Sequence, residues 1–205
     1  MNFGFGTRKN PMPLPFREDR PRWKQVHGTS VVEITAPAQE CGEVDALWTR
    51  LNDYPIGIVT ADCVPLLLAR QDGAAVAAIH SGWRGTEARI LEAFFQALPP
   101  ELSNPRDWTV RIGPAIHACC YEVSEELIAR FETTFREISR SVIEPAPRKL
   151  DLIAVNQAIC EKIGLPIESV HADCTLCAKE SDGAFRYFSY RRGDRQSRQY
   201  SMIFS

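Results

Sequence analysis

Three apolar runs in close succession constrain this chain more than any other feature of it. Residues 57–85 read GIVTADCVPLLLARQDGAAVAAIHSGWRG, in which 57–61, 64–69 and 74–79 are of strand length and Gln71-Asp72-Gly73 is a turn signal. The runs are apolar on both faces, so they predict interior strands, the second and third paired as a buried hairpin. Cys63 falls between the first two runs and His80 ends the third. Polar side chains where interior strands stop are where sites are usually built, so Asp62, Cys63, His80 and Arg84 are expected to share one rim.

A chain of 205 residues can bury a full core and is short enough to be one domain, 1–205, with 1–24 as an irregular arm. Pro11, Pro13, Pro15 and Pro21 stand in that arm among six basic side chains. The net charge of -2 gives no general attraction to nucleic acid or to an anionic membrane. No apolar run approaches the roughly 18–20 residues that would span a bilayer, and the N-terminus has no apolar core of a secretory signal. The expectation is a cytoplasmic protein. Seven cysteines, an odd number in such a setting, read as thiols or ligands and not as disulfides. Cys119 and Cys120 are adjacent and Cys174 and Cys177 have C-x-x-C spacing, but a zinc ribbon needs two such knuckles and one is present. Cys41, Cys160, Cys174 and Cys177 are therefore read as buried or half-buried thiols.

Further along, 31–34 is a short strand candidate behind Gln25-Val26-His27-Gly28. Ile90, Leu91, Phe94, Phe95 and Leu98 give 86–98 the spacing of an amphipathic helix, which Pro99-Pro100 stops. Its start follows Ser81-Gly82-Trp83-Arg84-Gly85, so helix-end N–H groups and Arg84 are placed to hold an anion near His80. On spacing alone those glycines equally serve a turn and Trp83 fills core. A strand is predicted over 108–112, a helix after Ser124 on Leu127, Ile128, Phe131 and Phe135, and another over about 151–163 closed by Gly164 and Pro166. The segments 185–190 and 200–204 read as strands joined by the basic RRGDRQSRQ. Neither a dinucleotide-binding nor a P-loop glycine pattern occurs, and the class is mixed α/β.

QVHG with His27, TADCVPLLL with Asp62 and Cys63, AAIHSGWRG with His80, GPAIHACCYEV, ADCTLC and FSYRR occur in an order that resembles the YfiH or laccase-domain family, also called the peptidoglycan editing factor or purine nucleoside phosphorylase type. The resemblance runs from about Trp23 to the C-terminus. It implies a four-layer α/β/β/α sandwich with mixed sheets and a zinc ion held by His27, Cys63 and His80. Two imidazoles and a thiolate leave a tetrahedral zinc one open position, the arrangement of a catalytic site. The resemblance further implies phosphorolysis of adenosine, inosine and methylthioadenosine, adenosine deamination, and in some members removal of wrongly amidated peptidoglycan precursors. On that reading Cys63, His80 and Asp62 serve catalysis, and Arg84 and Arg191 bind substrate, with Arg192 the next candidate for the anion. Nucleoside and phosphate are the partners.

The chain departs from the family pattern at His117 and Ser197, where glycine is usual, and in a short segment between FGFGTR and QVHG that would leave one wall of the pocket open. A different class also stays in view. The fold implied resembles the catalytic domain of deamidating toxins, in which Cys63 would be a nucleophile and His80 its base without a metal. Copper at the same ligands is the lesser alternative to zinc, because coupled copper sites take several imidazoles per metal and the chain has four histidines in all.

Overall fold

In the computed structural model, which describes residues 1–14 and 18–205, the central stretch forms the hairpin that its sequence predicts. The strands are β1 Asn2–Phe5, β2 Arg22–Lys24, β3 Val31–Ile34, β4 Glu40–Glu43, β5 Ala46–Thr49, β6 Ile56–Thr60, β7 Val64–Arg70, β8 Val76–Ser81, β9 Trp108–Ile112, β10 Ile167–Val170 and β11 Gln199–Phe204. The helices are α1 Trp83–Glu87, α2 Ile90–Ala97, α3 Glu125–Thr134, α4 Arg140–Ile143 and α5 Leu152–Ile163. β7 and β8 pair antiparallel, with Pro65 opposite His80. Gly73, at φ +78, closes their turn, and Asp72 accepts a hydrogen bond from the Ala74 amide. The hairpin lies inside a six-stranded mixed sheet of order β10-β9-β7-β8-β5-β3.

Because side chains alternate across a strand, this sheet feeds two cores. Val64, Leu66, Leu68, Ala77 and Ile79 face the helices and meet Phe94, Trp108, Phe131 and Val155. Leu67, Ala69, Val76 and Ala78 face the other way and meet Ile56, Ile58 and Ile203 of a three-stranded sheet, β1-β11-β6. Leu66, Leu67 and Leu68 are all fully buried, each contributing about 1.5–3 kcal/mol of burial free energy. That double burial is why the run is apolar at every position.

Three layers are thus seen: helices, the large sheet and the small sheet. The buried apolar side chains of α2–α5 all enter the first core, and Trp83 of α1 packs against it, so among the described residues the helices cover the large sheet and the second helical layer of the expected four-layer sandwich is not seen. The mixed α/β class and the mixed sheets agree with expectation. The first apolar run becomes β6, but it crosses to the small sheet and pairs with β11 instead of joining the hairpin.

Several boundaries differ from the sequence reading. The helix expected over 86–98 starts at Trp83 and breaks at Arg89, which is left-handed at φ 62 and begins a second helix. Phe185 makes only an isolated bridge to Lys179, and 186–190 is not a strand. Its backbone is claimed by side chains: Gln199 Oε1 accepts from the Phe188 amide and Asp194 Oδ2 from the Ser189 amide. The arm is less irregular than its prolines suggest, since β1 pairs with β11 and β2 with β4. Pro15 lies outside the described residues. α3 and α5 form as predicted, capped by Ser124 and Asp151, with Gly164 left-handed at the end of α5. No helix among the described residues is long and apolar enough to cross a membrane.

Candidate metal centre

His80 and Asp45 are neighbours across β8 and the residue preceding β5, where the His80 amide donates to the Asp45 carbonyl at 2.7 Å. Both side chains point into the seam between the two sheets. Asp45 is 1% exposed, and its carboxylate accepts four hydrogen bonds. His80 Nδ1 donates to Oδ1 at 2.8 Å, and the amides of Val26, His27 and Gly28 donate at 3.2, 2.9 and 2.7 Å. One buried acid therefore fixes the His80 tautomer, leaving Nε2 free to face the site, and holds the turn that carries His27. That turn needs holding, because His27 itself is left-handed at φ 62.

His27, Cys63 and His80 converge so that their ligand atoms lie within 4.8 Å of one another. The two imidazoles sit edge to face with centroids 4.7 Å apart. Gly82 packs against the group so closely that a Cβ there would stand 2.9 Å from both Cys63 Sγ and His27 Cδ2. Burial alone would raise the Cys63 thiol, but the charge of His80 and hydrogen bonds from both histidines outweigh it and hold it down to about 6. Burial likewise disfavours charge on His80, yet the Cys63 thiolate and Asp45 push it up to about 9. Without a metal the opposite shifts favour a thiolate beside an imidazolium.

A cavity of about 520 Å³ opens above these residues, in the range of small-molecule sites. Its lining includes the buried His80 and Tyr121, the half-buried Cys63, the exposed Tyr190, Arg84 and Arg191, and His27. Arg84 stacks on Trp83 at 4.2 Å, and among the described residues no carboxylate pairs with it. α1 has only five residues, so of the groups expected to hold an anion here the guanidinium of Arg84 remains and a helix dipole does not.

Asp62 also lines the pocket, and its carboxylate accepts from Thr175 Oγ1 at 2.7 Å, Ser189 Oγ at 3.0 Å and the Arg191 amide at 2.8 Å. Those bonds tie two loops to the start of the hairpin and take up most of the carboxylate's acceptor sites. Arg192 is turned away, donating to the carbonyls of Thr175 and Leu176. His117 does not line the pocket, and its amide donates to Cys174 Sγ at 3.4 Å. The cysteines divide differently from expectation. Cys160 is core and Cys41 packs beside the second core, but Cys174 and Cys177 meet Cys119 and Cys120 with all four sulfurs within 4.8 Å.

Sequence reasoning missed Asp45, Gln25, Tyr121 and Tyr190. An acid at the mouth of a fully apolar strand, as in V-D-A-L-W, is a signal that Asp45 has a partner, though not which one. Gln25 sits in the QVHG motif beside the noted histidine; its amide pairs with both the N–H and the carbonyl of Val59, each at 2.8 Å.

The fold and the site define a class: mixed α/β proteins with a His, Cys, His triangle beneath a pocket of small-molecule size. The chain belongs to the family described as multi-copper polyphenol oxidoreductase laccase, whose profile matches residues 14–205. It is 35% identical over 182 residues to a purine nucleoside phosphorylase of Clostridium acetobutylicum, covering 88% of this chain and 74% of that relative. It is 36% identical over 156 residues to adenosine deaminase RL5 from an unknown prokaryotic organism, covering 73% of this chain and 57% of the relative. The crystal structure of a Bacillus licheniformis hypothetical protein YfiH superposes with a TM-score of 0.76 at 27% identity, over 89% of this chain and 73% of that one. The YfiH resemblance read from the motifs therefore holds.

Proposed function

We propose that this chain is a cytoplasmic purine nucleoside enzyme that works with one zinc ion held by His27, Cys63 and His80. The observation that carries the reading is the convergence of those three ligands in the lining of one pocket that the exposed Arg84 and Arg191 also line. The donor set fits the metal, since two imidazoles and a thiolate suit zinc and leave one of four positions open. Gly82 leaves room for the ligands to close up, and Asp45 fixes His80 as a metal-ligating histidine is usually fixed. Copper is the second choice. The same ligands accept it, but His117 and His171 line no part of the pocket, so a coupled copper centre lacks its imidazoles.

When bound, zinc supplies a Lewis acid at the pocket floor, which serves either activation of water or charge stabilisation on substrate. The chain's own groups do the rest. Asp45 keeps the proton on His80 Nδ1, so Nε2 stays a lone-pair donor. Arg84 and Arg191 hold phosphate by charge-assisted hydrogen bonds and place it for attack on the anomeric carbon. Tyr121 and Tyr190 offer aromatic faces for the purine. Adenosine, inosine and methylthioadenosine are the substrate class, by phosphorolysis or by deamination. The relatives named for those two activities support both.

A second reading rests on the thiolate and imidazolium pair backed by Asp45. Cys63, His80 and Asp45 together have the form of a cysteine hydrolase site, with an amide such as a peptidoglycan precursor as substrate. It leaves His27 without a task, which is why zinc is preferred. Elemental analysis of the purified protein, with the same sample assayed on adenosine with and without phosphate, decides. Adenine formed only with phosphate means phosphorolysis, inosine in either means deamination, and neither product returns the hydrolase reading. For the phosphorolysis reading, Arg84→Ala is expected to raise the KM for phosphate while zinc content stays at its parental level; an unchanged KM would make Arg84 structural.

A further inference from the structure

We infer that Cys119, Cys120, Cys174 and Cys177 form a second metal site, a mononuclear four-thiolate zinc centre separate from the pocket. Sequence spacing hides it, because one half is a C-x-x-C turn and the other an adjacent pair 54 residues earlier, counted from Cys120 to Cys174. The fold brings the halves together. Cys119 Sγ lies 3.6 Å from Cys120 Sγ and 4.0 Å from Cys177 Sγ, and no pair among the four exceeds 4.8 Å. A tetrahedral ion with zinc–sulfur bonds of about 2.3 Å has sulfur edges of roughly 3.8 Å. The four thiols already stand close to that figure. Iron–sulfur clusters interpose several atoms between their cysteines and need a wider spacing, so a single ion fits and a cluster does not.

The backbone around the sulfurs is built in the same sense. The amides of Cys120 and Tyr121 both donate to the His117 carbonyl, forming a turn that lets consecutive cysteine side chains reach one point. The Ala178 amide donates to the Cys174 carbonyl, closing the C-x-x-C turn. The His117 amide donates to Cys174 Sγ at 3.4 Å, and Cys174 is the one buried residue of the four. Such an amide bond stabilises a ligating thiolate. Arg192 donates to the Leu176 carbonyl at 2.8 Å and so holds the C-x-x-C turn from outside. Binding converts each thiol to a thiolate with release of its proton, and forms four zinc–sulfur bonds without any change of oxidation state.

Its place in the fold gives the centre a task. It joins the segment that supplies Tyr121 and Ile116 to the pocket with the segment that supplies Thr175 to Asp62. Ala115 and Cys174 already bridge there, and the Thr175 amide donates to the Ala115 carbonyl at 2.9 Å. The ion would lock one pocket wall without touching substrate.

The test is zinc content per chain in protein purified under reductant without added chelator. The inference expects one equivalent in Cys63→Ser, where the pocket site is disabled, and none when Cys174→Ser and Cys177→Ser are added. If the combined variant does not fold, cobalt loaded into Cys63→Ser should give the intense sulfur-to-metal charge-transfer absorption of a tetrahedral four-thiolate site. Cys63→Ser protein that holds no zinc and shows no such cobalt spectrum would overturn the proposal. So would native Cys63→Ser whose four clustered thiols all react freely with a thiol reagent, or peptide mapping that finds Cys119 and Cys177 joined as a disulfide. Because the assay is made with the pocket ligand removed, the reading of the pocket can fail while this one stands.

Discussion

Gly82 is glycine for want of room and not for its backbone, whose φ of -74 and ψ of 167 suit any residue. Its missing Cβ is what lets Cys63 and His27 close on one point. Gly82→Ala should leave secondary structure intact and weaken zinc binding on the order of 10–100-fold, the range typical of lost support to a metal ligand. Competition with a chelator, read beside the circular dichroism spectrum, measures it, and parental affinity would show that the site opens without cost. Cys63 gives a second expectation at this scale. In metal-free protein its alkylation rate should be nearly flat from pH 7 to 9 and fall as pH drops through about 6, because its thiol is depressed and deprotonated above that value. An unperturbed cysteine would already lose rate below about 8.5. A midpoint near 8.5 in this protein would show that His80 and His27 do not act on the thiol. The three ligands were legible because each stands in a motif at a strand end. Asp45 was not, since nothing local in V-D-A-L-W says that its partners are His80, 35 residues away, and the 26–28 turn.

Elements were legible where local chemistry decided them and illegible where distant side chains did. The hairpin of β7 and β8, the cap at Ser124 and the Gly164 stop of α5 all follow from short-range rules, and all three form. The break at Arg89 does not: its left-handed backbone is stabilised by its own side chain, which donates to Glu92 and to the Thr134 carbonyl and lies over Phe135. The segment 186–190 departs from its sequence reading for a related reason, since its aromatic composition suits a strand while Gln199 and Asp194 take the amides of Phe188 and Ser189 and Asp62 takes the Ser189 hydroxyl. Asp62 is the residue on which two such segments depend. Asp62→Asn turns an N–H₂ group toward donors in a buried setting, so it should destabilise the fold by about 1–3 kcal/mol in urea unfolding. Zinc bound at the pocket, measured in protein folded well below the midpoint, should stay at its parental level. Loss of that zinc with unchanged stability would bring Asp62 into the metal centre itself.

At the scale of the whole molecule the candidate centre lies at one end of the seam between the two sheets, and its ligands come from three separate parts of the chain. His27 precedes β3, Cys63 opens the hairpin and His80 closes it, while Asp45 brings the first and last together. An unfolded chain cannot hold that geometry, so zinc at these ligands binds the native state selectively and must stabilise it. Free zinc at 100 times its dissociation constant contributes about 2.7 kcal/mol. At about 2–4 °C per kcal/mol for a chain of this size, chelation should lower Tm by roughly 5–10 °C, and returning zinc should restore it. Cys63→Ser removes the pocket's share of that shift, and whatever shift remains belongs to the four-cysteine centre. The same chelated sample separates the two chemistries proposed for the pocket. A metal enzyme loses activity as Tm falls and Cys63 becomes open to iodoacetamide, and zinc reverses all three changes. Chelated protein that keeps full activity, and then loses it when Cys63 alone is alkylated, would instead make Cys63 the nucleophile, His80 its base and Asp45 the group that orients them.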